Sequence, residues 1–250
     1  MITKVNDLYR RMLSAARGRL VLTIVFSHLL PLTSHLLLSC TQDTYDKGDG
    51  PYSLMRGDFA EVMVGTDKKI VSFTTDDGET LSLSQSYTAK WITRPDTVYR
   101  CMLYYNKVRD SKGQYVAEVI SVGEVPCPMV IPLAEMEIPM KTDPVKFESA
   151  WLSKSGRYLN LSFSLMTGSV EEEEALHMLR VVQDEVTDHP DGTKTCHLCL
   201  YHDQAGVPEY YSVKAYASIL TSQIPADSAS ISINTYKGIV TKTFELRKSQ

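Results

Sequence analysis

From Asp58 onward apolar and polar residues alternate with a period of two rather than 3.6, in short runs rich in Val, Ile, Tyr, Phe and Thr between turn residues. Successive side chains on a strand point to opposite faces, so this period predicts half-buried β-strands rather than amphipathic helices. In "GDFAEVMVGT", Phe59, Glu61 and Met63 alternate with Ala60, Val62 and Val64. In "KKIVSFTTDDGETLSLS", Asp77-Gly78 sits between two alternating runs, where glycine supplies the positive φ of a tight hairpin turn. "DTVYRCMLYYNKV" and "GQYVAEVISVGEV", joined by "RDSKG", form a second predicted hairpin, which gives five strands between residues 57 and 125.

Pro126, Pro128, Pro132 and Pro139 then crowd one segment. Proline cannot donate to a sheet ladder, so residues 126–142 are expected to be an extended connector. Residues 143–250 hold seven further strand-like runs, with Ser155-Gly156 and Lys237-Gly238 among their turns, and suit a sandwich of two antiparallel sheets. Ser169 to Val182 also carries a helix-start signal, but Val181 and Val182 favour an acidic loop followed by a strand. The expected fold class is all-β.

Ahead of this lies Leu20–Ser39, an apolar run of membrane-core length without Asp, Glu, Lys or Arg. Lys4, Arg10, Arg11, Arg17 and Arg19 precede it against Asp7 alone, the layout of an export signal. A permanent transmembrane anchor competes, although Pro31, His28 and His35 weaken a continuous span. "LLSC", Leu37 to Cys40, separates the two, because it resembles a bacterial lipobox: leucine three before the cysteine and a small residue next to it. The resemblance implies a signal peptide over 1–39, cleavage before Cys40, and palmitate-type acylation of that residue, since two or three chains anchor where one does not. The lead is long for such a signal, which leaves translation from Met12 or an extended basic region as alternatives. Residues 40–56, with Asp43, Asp46, Gly48, Gly50 and Pro51, read as a flexible tether.

The net charge of -4 conceals an asymmetry, because beyond the first 39 residues 21 basic face 29 acidic side chains. Without a basic cluster to displace phosphate counterions, the folded part is a poor nucleic-acid binder.

"CHLCLYHD", with Cys196, His197, Cys199, His202 and Asp203, superficially resembles zinc ligation. On a strand, however, Cys196 and Cys199 face opposite sides and lie ~10 Å apart, too far for one metal or a disulfide. Core packing plus one surface thiol is expected instead. In an exported protein Cys101 and Cys127 are a candidate disulfide, with buried free thiols as the default. Hydrolytic motifs are missing: G-x-S-x-G, H-E-x-x-H and a glycine-rich phosphate loop do not occur. No catalytic residue, metal ligand or cofactor site is therefore assigned. Glu171–Glu174 read as solvated carboxylates, and Asp76 and Asp77 as turn residues. Tyr99, Cys101, Leu103 and Tyr105 share one face of a strand and read as core, Tyr104 lies on the other, and Tyr210 and Tyr211 straddle both. Trp91 is the aromatic singled out for ligand contact.

Taken in order, the lipobox cysteine, "YSLMRGDFAEVMVG", the "DDGETLSLS" hairpin, the strand before the proline joint, "DPVKFESAWLSKSGRYLNLSFSLMTG" and the terminal "KTFELRK" resemble the NigD-like lipoproteins of Bacteroidetes. That resemblance implies an OB-like barrel over 57–125 and an immunoglobulin-like β-sandwich over 143–250. It transfers no ligand residues. The expected protein is a non-catalytic lipoprotein of a Gram-negative outer membrane, on its periplasmic or surface face. It would serve as a binding or accessory module for an unknown protein or glycan partner. A glycan-handling or hydrolytic protein, with a site formed only in the fold, and a bacteriocin-associated accessory or immunity protein are the alternatives.

Overall fold

A computed structural model of the protein describes residues 54–168 and 176–246. Cys40, the signal segment, most of the tether and Glu171–Glu174 lie outside the described residues. The described chain is almost entirely β.

Strands β1 (Arg56–Val64), β2 (Ile70–Thr75), β3 (Thr80–Tyr87), β4 (Val98–Arg109) and β5 (Tyr115–Glu124) form a closed barrel in the order β1-β2-β3-β5-β4. β4 closes on β1 along eight residue pairs, while β3 and β5 meet in parallel at Leu83 and Ala117. The barrel is OB-like. Its interior holds Ala60, Val62, Ile70, Phe73, Cys101, Leu103 and Tyr105, the inward set that the alternation predicts. Gly78 takes φ 84° in the turn between β2 and β3, a conformation that strains any residue with a Cβ.

The second domain packs two sheets. One holds β6 (Val130–Pro132), β9 (Met178–Asp188), β10 (Lys194–Asp203), β12 (Ser228–Thr235) and β13 (Gly238–Glu245), in the order β13-β12-β10-β9-β6. The other is β11-β8-β7, with β7 Lys146–Leu152, β8 Tyr158–Thr167 and β11 Tyr211–Leu220. Two details depart from the sequence expectation. The proline-rich connector contributes β6 as an edge strand parallel to β9, a position where a proline costs little. The larger sheet is mixed, because β11 crosses to the smaller sheet and the chain returns to lay β12 parallel to β10.

Leu159, Leu161 and Phe163 of β8 meet Cys196, Leu198, Ile231 and Ile233 from the other sheet in the core. Each fully buried aliphatic or aromatic side chain contributes ~1.5–3 kcal/mol. The alternate β8 residues Asn160, Ser162 and Ser164 are buried as well, so this central strand is covered on both faces.

Candidate partner-binding surface

The two domains meet over the start of β8. Arg100, in β4, has a side chain 2% exposed and forms a two-pronged ion pair with Asp76 at 2.6 and 2.7 Å. Its remaining donors reach Asn160 Oδ1 at 3.2 Å and Ser218 Oγ at 3.3 Å, and Ser218 donates to Asn160 at 2.6 Å. The guanidinium also lies 4.1 Å from the centre of the Tyr158 ring. Beside it Glu61 accepts from the Tyr158 hydroxyl and from Arg157 at 2.9 Å. Burial, then the bond to Glu61, raises the Tyr158 pKa. Phe59 stands edge-on to both Trp151 and Tyr216, at 5.4 and 5.2 Å. Asp76 was expected only to shape a turn; its carboxylate also locks the joint. A small cavity of ≈ 120 Å³ here is lined by Glu61, Asp76, Arg157 and Tyr158, whose polar groups are already engaged, Glu61 by Arg157 and Tyr158 and Asp76 by Arg100.

Most of the other residues singled out in the sequence are structural. Trp91 packs half-buried on Tyr99, whose hydroxyl accepts from the Thr93 and Arg94 backbone. Cys196 lies in the sandwich core whereas Cys199 is half-exposed on the opposite face of β10. The bridge between Cys101 and Cys127 is not made. Both thiols are free: Cys101 faces the barrel interior, where burial pushes its pKa up to about 12, while Cys127 is exposed on the connector. A thiol sealed inside a barrel cannot reach one outside it.

His202 is buried at the end of β10, and its Nδ1 lies 2.9 Å from the Asp143 carbonyl oxygen. A carbonyl only accepts, so Nδ1 carries the proton and Nε2 accepts from His177 Nδ1 at 3.0 Å. That leaves His177 Nε2 without a proton in the neutral pair, buried and without a partner. Burial first, and His202 second, lower the His177 pKa, against an opposing contribution from the Met166 backbone. His189 and His197 bond threonine hydroxyls. Among the described residues no histidine is hydrogen-bonded to a carboxylate side chain, and no three His, Cys, Asp or Glu side chains gather as metal ligands.

The distinctive surface is at the sandwich end remote from the barrel. β8 runs from Tyr158 at the joint to Thr167 some 30 Å away at ~3.3 Å per residue. There Tyr210 is 77% exposed and Ile239 74%, and Tyr211, Val213 and Tyr236 are exposed too. Glu209 ties the two loops together, because it meets both the Tyr236 hydroxyl and the Gln204 amide. Tyr210 lies across Gly168, where a Cβ would come within 2.7 Å of its ring. Tyr211 and Val213 share the core-facing register of β11, with Thr167 and Leu165 opposite, yet remain in solvent. Alternation alone could not reveal this, since it assigns them inward.

A closed five-stranded barrel joined to a two-sheet sandwich defines a two-domain β protein. Residues 130–246, which span the sandwich, match the family described as NigD-like C-terminal beta sandwich domain. The fold of the chain is similar to the crystal structure of a NigD-like immunity protein from Bacteroides caccae, at 25% identity and TM-score 0.58, covering 75% of this chain and 91% of that one. A Parabacteroides distasonis protein provisionally described as toxin-related matches at 17% identity and TM-score 0.56, over 76% and 92% of the two chains. A Bacteroides fragilis protein provisionally described as a lipoprotein matches at 13% and 0.55, over 78% and 100%. Among curated proteins none matches.

Proposed function

We propose that the protein is a non-catalytic envelope module, anchored through acylated Cys40 to the outer membrane, that binds a protein partner in an accessory or immunity role. The observation that carries the binding half is the exposure of Tyr210, Tyr211, Val213, Tyr236 and Ile239 toward one end of the sandwich, on a fold in which, among the described residues, no histidine is hydrogen-bonded to a carboxylate side chain. Single exposed apolar residues are ordinary, but several tyrosines and aliphatics exposed toward one end of a domain have the composition of an interface core. The name of the Bacteroides caccae relative points the same way. The anchoring half is supported by Leu37–Cys40 and the polar residues after it.

Each half has its own test. Cys40→Ala is expected to abolish labelled-palmitate incorporation and to leave the precursor uncut or released from membranes; unchanged labelling overturns the anchor. For binding, the detergent-solubilised full chain is used to capture a partner from envelope extracts, in parallel with a Tyr210→Ser/Ile239→Ser variant. A bound protein lost in the variant by about 2 kcal/mol or more, with unfolding unchanged, supports the surface. Equal capture by both overturns it.

A further inference from the structure

Between the β7 edge of one sheet and the β12–β13 hairpin of the other, the sandwich mouth opens into a cavity of ≈ 280 Å³ lined by Val145, Lys146, Phe147, Thr235, Tyr236, Lys237 and Val240. Its floor is rigid. Val145 is buried and bridges to Thr235, its N–H donates to the Asn234 carbonyl at 3.1 Å, and the Asn234 amide donates to the Thr142 carbonyl at 2.6 Å. Phe147 pairs with Phe163 on the core face, so the wall beneath the opening is continuous with the sandwich core. Tyr236 belongs both to this lining and to the exposed surface described above.

The volume falls just below the roughly 300–1,000 Å³ of small-molecule sites, room for a bulky side chain rather than a cofactor. Apolar walls set the chemistry of what enters, and the charges set what stands beside it. Lys69, Lys107, Lys141, Lys154, Lys194 and Lys214 are each paired with a carboxylate. Lys146 and Lys237, both in the cavity lining, have no ion-pair partner among the described residues, as is also true of Lys68, Lys90, Lys112 and Lys242 elsewhere on the surface. The carboxylates nearest Tyr236 are already engaged: Glu209 by the Gln204 amide at 3.0 Å, and Asp143 by the Gln204 backbone N–H at 2.8 Å.

We infer that this cavity receives one bulky apolar side chain of the partner protein, from a segment with carboxylates on either side that face Lys146 and Lys237. The inference rests on the partner-binding reading and names the chemistry of its anchor. Interfaces concentrate their energy in such filled, desolvated pockets, and complementary charge at the rim sets register and selectivity.

The test titrates the full chain in detergent with three capped tripeptides, following Val145 and Val240 methyl resonances. Phenylalanine between two glutamates is expected to give saturable shifts at both valines. Serine between two glutamates, and phenylalanine between two lysines, should each bind about tenfold more weakly or worse. A Lys146→Glu/Lys237→Glu variant should reverse the preference between the acidic and basic peptides, and Val240→Phe, which fills the cavity, should abolish the shift at Val145, the reporter that remains. Equal binding of all three peptides, shifts that map away from the cavity, or an unreversed preference in the charge variant would each overturn the inference. So would a concentration-dependent dimer in sedimentation that Val240→Phe dissociates, because the occupant would then be a second copy of the chain. Should the acidic peptide fail while Tyr210→Ser/Ile239→Ser still loses the partner, the cavity assignment falls and the partner-binding reading stands.

Discussion

At the barrel end of the sandwich, Asn160 and Ser218 are fully buried polar residues that grip a guanidinium from the other domain. At the far end, the continuation of the same strands leaves tyrosines and aliphatics in solvent, over residues whose register points inward. Polar groups are thus buried where the molecule is joined to itself, and apolar groups exposed where it is not. Burying a charge is costly unless it is paired and hydrogen-bonded, so the near end records a fixed geometry between the domains. Exposed apolar surface is costly unless something covers it, which is why the proposed partner contact is placed at the far end.

The largest effect that would test this contrast is at the joint. Arg100→Met keeps an unbranched side chain at this site but removes the guanidinium from the Tyr158 ring and from Asp76, which is left with the Asn160 amide at 3.4 Å, while Asn160 keeps the Ser218 hydroxyl. Removing one partner of a buried pair costs ~3–5 kcal/mol, and because Asp76 keeps 19% exposure the expected loss is about 3 kcal/mol in urea unfolding. A loss below about 1 kcal/mol would mean that the domains are not energetically coupled there. Tyr158→Phe is the smaller companion. It deletes the hydroxyl that donates to Glu61, which retains Arg157, so a loss of about 1.5 kcal/mol is expected by the same measurement. Tyr210→Ser/Ile239→Ser, by contrast, should leave unfolding within ~0.5 kcal/mol of the parent.

The same contrast marks what could be read from the sequence. Alternation and turn chemistry carried the strand list: Asp77-Gly78 turns where expected, and Cys101, Leu103 and Tyr105 fill the barrel as one face. These are local signals, because an inward position is decided by the strand's own period. The joint has no such signal. Arg100 is the outward residue between Tyr99 and Cys101, and a period-two reading sends it to solvent; its partners stand 24, 60 and 118 residues away. Asn160, Ser162 and Ser164 mislead in the same way, since a second covered face shows only when the barrel and Glu148 are in place. The far end fails in the opposite sense. Tyr211 and Val213 obey the inward register but are not covered by the sheet opposite, and no property of either residue records that.

The smallest effect separates the two ends by pH. The His177–His202 pair belongs to the far end, beside Met166 of β8 and Asp143 next to β7, and its neutral form places the unprotonated His177 Nε2 in a buried position. A histidine whose folded pKa is lowered binds fewer protons folded than unfolded, so its contribution to stability is present above the unfolded value of about 6.5 and is lost as pH falls below it. His177→Gln retains an N–H donor for His202 Nε2 and removes that titration. Urea midpoints of the parent and of His177→Gln are therefore expected to differ most near pH 7.5, with the parent higher, and to converge toward about pH 5, with the variant showing the shallower decline. Arg100→Met should shift the midpoint without flattening this decline. If His177→Gln kept the full decline, His177 would not be the group that titrates at the far end. The two ends would then differ in exposure alone.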